Sequence, residues 1–331
     1  MQNKLLAELE KGKFTRGNLA AALLLRDAAQ RELFALARRA RSSRFPAGKA
    51  EVRSVIEVSN ICRQGCLFCN INKLPSSKKY LLSRAGLLRI VRHLYRKKRR
   101  VLLLQSGENS SKAYIDLVAG CVAALKKEFK DLTVILSLGS LSPAQYGQLR
   151  RAGADRYILK FETSDPALYK RTKPGDSLAK RLRCLRSLTK LGFETGSGNM
   201  IGLPGQTLKD IVNDLKLVGK LGLAMASSSV FVPGEGSVYA GRPMGDLELT
   251  LNYMALMRIM YPGLLIPTTS ALEKAGKGGQ LRGLLAGANT VTVHDGTPAG
   301  TKKNFPIYSL ERFTPDEKHI RAIVARAGLK L

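Results

Sequence analysis

Apolar side chains recur at helical spacing through residues 1–48, with Leu19, Leu23 and Ala28 and then Leu33, Leu36 and Ala37 on one face. Pro46-Ala-Gly ends that layer. Beyond it the period changes to short apolar or β-branched runs, expected as strands at residues 53–58, 101–105, 132–138, 156–161, 195–201, 225–232, 264–269 and 289–294. Helix-like stretches follow each of them, near 83–99, 112–127, 143–152, 177–191, 207–221, 247–260, 277–286 and 315–327. Strands alternating with helices imply a parallel sheet, and eight such units close a (β/α)8 TIM-type barrel. The competing fold is an open doubly wound sheet. Neither a GxGxxG turn after the first strand nor a P-loop is present to support it.

A barrel of this kind places its chemistry at the C-terminal strand ends. The first expected strand runs from Val58-Ser59-Asn60 straight into Cys62-Arg-Gln-Gly-Cys66-Leu-Phe-Cys69. The second ends in Gln105-Ser106-Gly107-Glu108, the fourth in Phe161-Glu162-Thr163, the fifth in Gly198-Asn199-Met200-Ile201-Gly202 and the seventh in Thr268-Thr269-Ser270. Polar and ligand-type residues therefore fall where the fold would put an active site.

Of the five cysteines, three lie within eight residues, a poor disulfide framework. Such a cluster in a cytoplasmic chain reads as metal-binding or catalytic. A structural zinc site normally closes with four ligands. No fourth Cys is local, and the histidines are His93, His294 and His319. A [4Fe–4S] cluster usually takes four cysteines, so three would leave one iron open.

The CxxxCxxC spacing, with the aromatic Phe68 before its last cysteine, resembles the radical S-adenosylmethionine (SAM) enzymes. The resemblance implies that Cys62, Cys66 and Cys69 bind a [4Fe–4S] cluster whose open iron chelates SAM. Reduction would then yield methionine and a 5′-deoxyadenosyl radical. Gln105, Ser106, Gly107 and Glu108 match the family's "GGE" position, which holds the SAM ammonium; alternatively Glu108 caps the helix starting near Ser110. Glu162 resembles the residue near the SAM ribose or amino group, or else is an N-terminal charge on the next helix. The stretch 198–203 resembles the adenine-packing GxIxG, with Met200 and Gly202 contributing.

Within the superfamily, VLLLQSGE, ADRYILKFETS, RLRCL, TGSGNMIGLPGQT, GDLELTL and IPTTSA resemble the [FeFe]-hydrogenase maturase HydE, biotin synthase and methylornithine synthase branch. That branch implies an N-terminal helical segment (1–48), a radical SAM core (49–270) and a C-terminal barrel-completing segment of the biotin and thiamin synthesis type (271–331). The chain departs from the HydE pattern at Lys160-Phe161, at Ser227-Ser-Ser and along the tail leading to Tyr308. HydE-like chemistry is the first expectation. Sulfur insertion at unactivated carbon and a methylornithine-type rearrangement are the alternatives. Sulfur insertion calls for a second sulfur source, and the two remaining cysteines, Cys121 and Cys184, fall in expected helices. A catalytically silent iron–sulfur scaffold would have no need of the strand-end SAM motifs. Thr268, Thr269 and Ser270 either bind a polar substrate or satisfy a strand end. His294 with Asp295 offers an acid/base pair or a structural histidine, and Tyr308 with Arg312 could close the mouth.

The 331 residues are 44% apolar and 24% charged, which excludes a disordered chain, a collagen and a small disulfide scaffold. Apolar runs stop far short of ~20 residues, so no membrane span is expected. The opening MQNKLLAELEKGK has no long apolar region that would suggest export, and a cytoplasmic location is the default. The net charge of +30 suits acidic partners, such as a small acidic substrate or an acidic carrier protein. A one-electron reductant such as flavodoxin or ferredoxin is implied by the resemblance. Basic residues spread along the chain, with no Trp and no aromatic-rich basic stripe, argue against a nucleic-acid partner.

Overall fold

The computed structural model describes residues 2–71, 78–298, 300, 304–309 and 313–331. Arg312, expected at the mouth, lies outside the described residues. Eight parallel strands, β1 (Glu51–Ser59), β2 (Val101–Ser106), β3 (Thr133–Ser137), β4 (Arg156–Ile158), β5 (Glu194–Ile201), β6 (Met225–Val230), β7 (Pro267–Thr268) and β8 (Thr290–Val293), form one sheet ordered β6-β5-β4-β3-β2-β1-β8-β7. Across the seam between β6 and β7, Leu265 N–H donates to Ala224 O (3.0 Å) and Ala226 N–H to Leu265 O (3.1 Å). The sheet thus curls into a nearly closed (β/α)8 barrel, and the open doubly wound sheet is excluded.

The helices that cover it are α4 (Arg84–Arg96), α5 (Lys112–Glu128), α6 (Pro143–Arg151), α7 (Pro166–Thr172), α8 (Leu178–Lys190), α9 (Leu208–Lys220), α10 (Leu247–Met260), α11 (Ser270–Ala275), α12 (Gly279–Leu285) and α13 (Glu317–Arg326). Side-chain caps set their starts. Ser83 accepts from Gly86 N–H, and Ser142 with Gln145 and Thr207 with Asp210 form capping boxes. The N-terminal layer consists of α1 (Gln2–Glu10), α2 (Arg16–Leu23) and α3 (Asp27–Arg44).

Two strands, β4 and β7, fall furthest short of their apolar runs. β4 stops at Ile158 because the chain leaves the regular ladder on its way to Glu162, whose φ is +63°. β7 is cut to two residues: Pro267 has no N–H to donate, and Thr269 is already the N-cap of α11. The short helices α7 and α11 carry too few residues to show a helical period.

The lumen is filled in layers. At the N-terminal end, Glu51 accepts from Arg53 (2.6 Å) and Arg156 (2.7 Å), and Arg156 also donates to Glu194 (2.6 Å). Val55, Leu103, Ile135 and Met225 form an apolar plug with Val101, Ile158, Ala224 and Leu265. The larger core lies between sheet and helices and takes in Cys121 and Cys184.

Asn252 of α10 ties the N-terminal layer to the barrel wall. Fully buried, it donates to Leu23 O (3.0 Å) and Leu25 O (2.8 Å) and accepts from Gln30 Nε2 (2.9 Å). Asn252→Ala strands these partners in the interior, and denaturant unfolding should show a loss of about 2–3 kcal/mol. An unchanged midpoint would mean that the layer is not coupled to the barrel.

Candidate active site and metal centre

The strand-end residues converge on a cavity of about 350 Å³ at the C-terminal end of the barrel. Phe68, Gln105, Glu162, Met200, Thr269, Ser270, His294 and Tyr308 all line it. Cys62, Cys66 and Cys69, all half-buried and none in a disulfide, sit on the loop that leaves β1 beside this cavity.

That loop has little regular structure, so its neighbours hold its shape. Asn60 donates to Lys78 O (2.8 Å) and Asn304 O (2.7 Å), and Arg63 N–H donates to Glu108 O (2.9 Å). Leu67 N–H reaches Thr172 O (2.9 Å), Asn70 N–H reaches Ile307 O (3.1 Å), and Leu67 O accepts from Tyr239 N–H (3.1 Å). Gly107 is required by close approach: a Cβ there would stand 2.5 Å from Ile61 O and 2.6 Å from the Cys62 Cβ.

The Glu108 carboxylate is buried and already engaged. One oxygen accepts from Gln64 Nε2 (2.6 Å) and Arg63 Nη2 (3.3 Å), and the other accepts from Ser140 N–H (2.9 Å) with Arg181 at 3.6 Å. Glu108 neither caps a helix nor lines the cavity; α5 begins at Lys112 behind Ser111. Ser106 and Gly107 likewise stand behind the cavity wall, with Ser106 Oγ bonded to Gly107 O (2.6 Å). Gly202, at φ +95°, packs on Gly245, where a Cβ would meet Cα at 2.3 Å.

Glu162 is the opposite case. α7 begins only at Pro166 under an Asp165 cap, so Glu162 is not a helix-start charge. It lies in the cavity wall in a left-handed backbone state that costs a non-glycine residue of order 1 kcal/mol or more. Its N–H donates to Gly198 O (2.9 Å), its C=O accepts from Met200 N–H (2.9 Å), and its carboxylate pairs with Lys160 Nζ (3.1 Å). Asp214 steadies the turn after it, accepting from Ser164 N–H (2.6 Å) and Asn199 Nδ2 (2.8 Å).

Thr268 takes the strand-end alternative, and one expected pairing is corrected. Thr268 turns out of the lumen, its hydroxyl donating to Gln280 O (2.7 Å). Asp295 pairs with Arg99 (2.9 Å) instead of His294. The carboxylate facing His294 is Glu57, fully buried, with Oε1 3.5 Å from His294 Nδ1 and 3.4 Å from Gln105 Nε2. Glu57 escaped the sequence reading, although an acid two residues after Val55 in an apolar strand was a visible signal. Lys160, Ser227 and Ser229 join the cavity wall as well.

The donor set fits an iron–sulfur cluster. Cys62 Sγ accepts two N–H groups, from Gln64 (3.4 Å) and Glu108 (3.3 Å). Hydrogen bonds of this kind tune cluster sulfurs. Burial pushes the Cys69 thiol up to about 12 and raises Cys66 as well, with Lys173 opposing the second shift. Both thiols keep their protons at neutral pH until metal displaces them. Among the described residues no three His, Cys, Asp or Glu side chains converge on a single ion.

Glu108→Ala should loosen the cysteine loop, seen as faster hydrogen exchange over residues 61–69; unchanged exchange would count against the clamp. Burial lifts the Asp214 carboxyl to about 7, against an ordinary value near 4. Its contribution to stability is therefore complete below pH ~4 and lost as pH rises through 7. Asp214→Asn should flatten that decline in denaturant midpoints compared at pH 5 and 8, and a parallel decline would refute the assignment.

Comparison with known proteins agrees with this geometry. The family model "Radical SAM superfamily" matches residues 56–218. The [FeFe] hydrogenase maturase subunit HydE of Thermotoga maritima is 35% identical over 308 residues, covering 92% of this chain and 87% of that protein. A biotin synthase of Pelotomaculum thermopropionicum is 26% identical over 254 residues, covering 75% and 78%. The crystal structure of methylornithine synthase (PylB) superposes with a TM-score of 0.83 at 23% identity, covering 98% of this chain and 96% of that one. Enzymes of this group use a [4Fe–4S] cluster and SAM, and this chain belongs to the radical SAM superfamily.

Proposed function

We propose that this chain carries out HydE-type radical chemistry on a small substrate held inside the barrel. The observation that carries the reading is the likeness to HydE along nearly the whole chain. When bound, the cluster supplies the one-electron cleavage of SAM to methionine and a 5′-deoxyadenosyl radical. Cys62, Cys66 and Cys69 hold it, and Gln105, Glu162, Phe68 and Met200 form the wall against which SAM is oriented. Glu162 supplies a carboxylate for a cationic or hydroxyl group, with Lys160 balancing its charge. The apolar plug around Ile135 keeps water from entering through the far end of the barrel. Thr269, Ser270, His294 and Tyr308 are the substrate-facing residues, with Ser227 and Ser229 opposite. Residues 49–270 act as the core, 271–331 complete the barrel and 1–48 brace it.

A rearrangement of the methylornithine type is the second reading, favoured by the hydroxyl-rich wall of Ser227 and Ser229 and by Lys160-Phe161. Sulfur insertion fits less well, because Cys121 and Cys184 are buried between sheet and helices. Among the described residues no helix is long and apolar enough to cross a membrane. A reducing cytoplasm suits five cysteines that form no disulfide.

Anaerobic reconstitution should give about four irons per chain and SAM-dependent 5′-deoxyadenosine. Cys66→Ala should abolish that product while leaving the circular dichroism unchanged; retained cleavage would sink the assignment. About eight irons would bring sulfur insertion forward. Replacing HydE with this chain in a host that matures an [FeFe]-hydrogenase tests the substrate, and restored hydrogenase activity is the expected result.

A further inference from the structure

The rim beside the cysteine loop is markedly basic. Across α7 and α8, residues 166–190 hold eight Lys or Arg and one acid, Asp176. Asp176 is buried against Arg181 at 2.8 Å, so it offers no counter-charge to solvent. Lys170, Arg171, Lys180, Arg183 and Arg186 are all exposed. This flank adjoins the cysteine loop directly. Thr172 O accepts from Leu67 N–H (2.9 Å), Gly175 lies against the Gln64 side chain, and Arg181 reaches the Glu108 carboxylate that holds Gln64.

The loop itself offers an apolar centre. Ile61, immediately before Cys62, is 39% exposed, and Leu81, which bridges to Ser59, is 42% exposed. Gly65, between the first two cysteines, is also exposed. An apolar centre with a charged rim is the usual anatomy of a protein interface. Electron transfer adds its own demand, because a donor must come close to the cluster ligands.

We propose that the Ile61–Gly65 edge and the basic flank of α7 and α8 form the docking surface for an acidic one-electron carrier protein of the flavodoxin or ferredoxin class. The proposal rests on the radical SAM assignment but not on the substrate. One electron leaves the carrier's reduced flavin or iron–sulfur centre and enters the cluster held by Cys62, Cys66 and Cys69. No atom or proton moves with it. Steering by a concentrated charge raises association rates by about 10–1000-fold and fades as salt shortens the Debye length to ~8 Å and below.

The test uses the reconstituted full chain and purified flavodoxin. The triple variant Lys170→Glu/Lys180→Glu/Arg183→Glu should bind flavodoxin at least about tenfold more weakly, with most of the salt dependence of Kd lost. A control triple, Lys97→Glu/Lys130→Glu/Lys220→Glu, carries the same charge change at or just beyond the C-terminal ends of α4, α5 and α9, at the opposite barrel end, and should alter Kd less than about twofold. Deoxyadenosine formation driven by dithionite should be equal in all three proteins, whereas flavodoxin-driven formation should fall only in the first variant. Equal loss of binding in both variants would reduce the effect to net charge and overturn the proposal. Unchanged flavodoxin binding in the first variant, with binding of a redox-inactive acidic carrier protein lost instead, would assign the surface to substrate delivery and also overturn it. Failure of dithionite-driven cleavage in the unmutated chain would point instead at the radical SAM assignment.

Discussion

A buried carboxylate that engages three parts of the chain at once is the contact on which the active end depends. Glu108 follows β2, yet its side chain spans the cysteine loop, the turn after β3 and the first turns of α8. A carboxylate in the interior is tolerable only with its acceptor sites filled. Four separate groups fill them here, and so three segments are held against the end of β2. The loop that must present three thiols has almost no ladder of its own, and it takes its order from this anchor and from backbone bonds to Thr172, Ile307 and Tyr239.

The barrel answers a second requirement, a reactive space sealed on one side and open on the other. Its lower half is filled by ion pairs and an apolar plug, while its upper half is walled by hydroxyls, amides and a few charges. The strained backbone at Glu162 belongs to the upper half. Its cost is met by bonds to Gly198 and Met200 and by Asp214 behind the turn, so the carboxylate stays pointed at the cavity.

Much of this was legible from the residues alone. All eight strands follow from the alternation of apolar runs and helical stretches, and the cysteine spacing with its strand-end motifs located the active end. Side-chain direction was not legible, because a strand end offers two faces and a one-residue change of register exchanges them. Hence Thr268 faces α12 while Thr269 faces the lumen, and Glu108 turns under the loop while Gln105 lines the cavity. The Glu57–His294 contact joins the first strand to the last, and no local pattern announces a pairing over that separation. The early ends of β4 and β7 came from backbone events, a left-handed residue and a proline, that the apolar runs pass straight through.

The helix α10 shows what the N-terminal layer means for the molecule as a whole. Its residues from Thr250 to Arg258 are buried without a break, so the helix has no solvent face along more than two turns. One side lies on the barrel, and the other is covered by the layer that Asn252 fastens. A shortened chain starting at β1 would leave Leu23 and Leu33 behind and turn an interior helix into an exterior one. Such a fragment would present a greasy stripe on the outside of an otherwise charged particle and would tend to self-associate. In architectural terms the first forty-odd residues are an inner wall, and any minimal version of this enzyme has to begin with them.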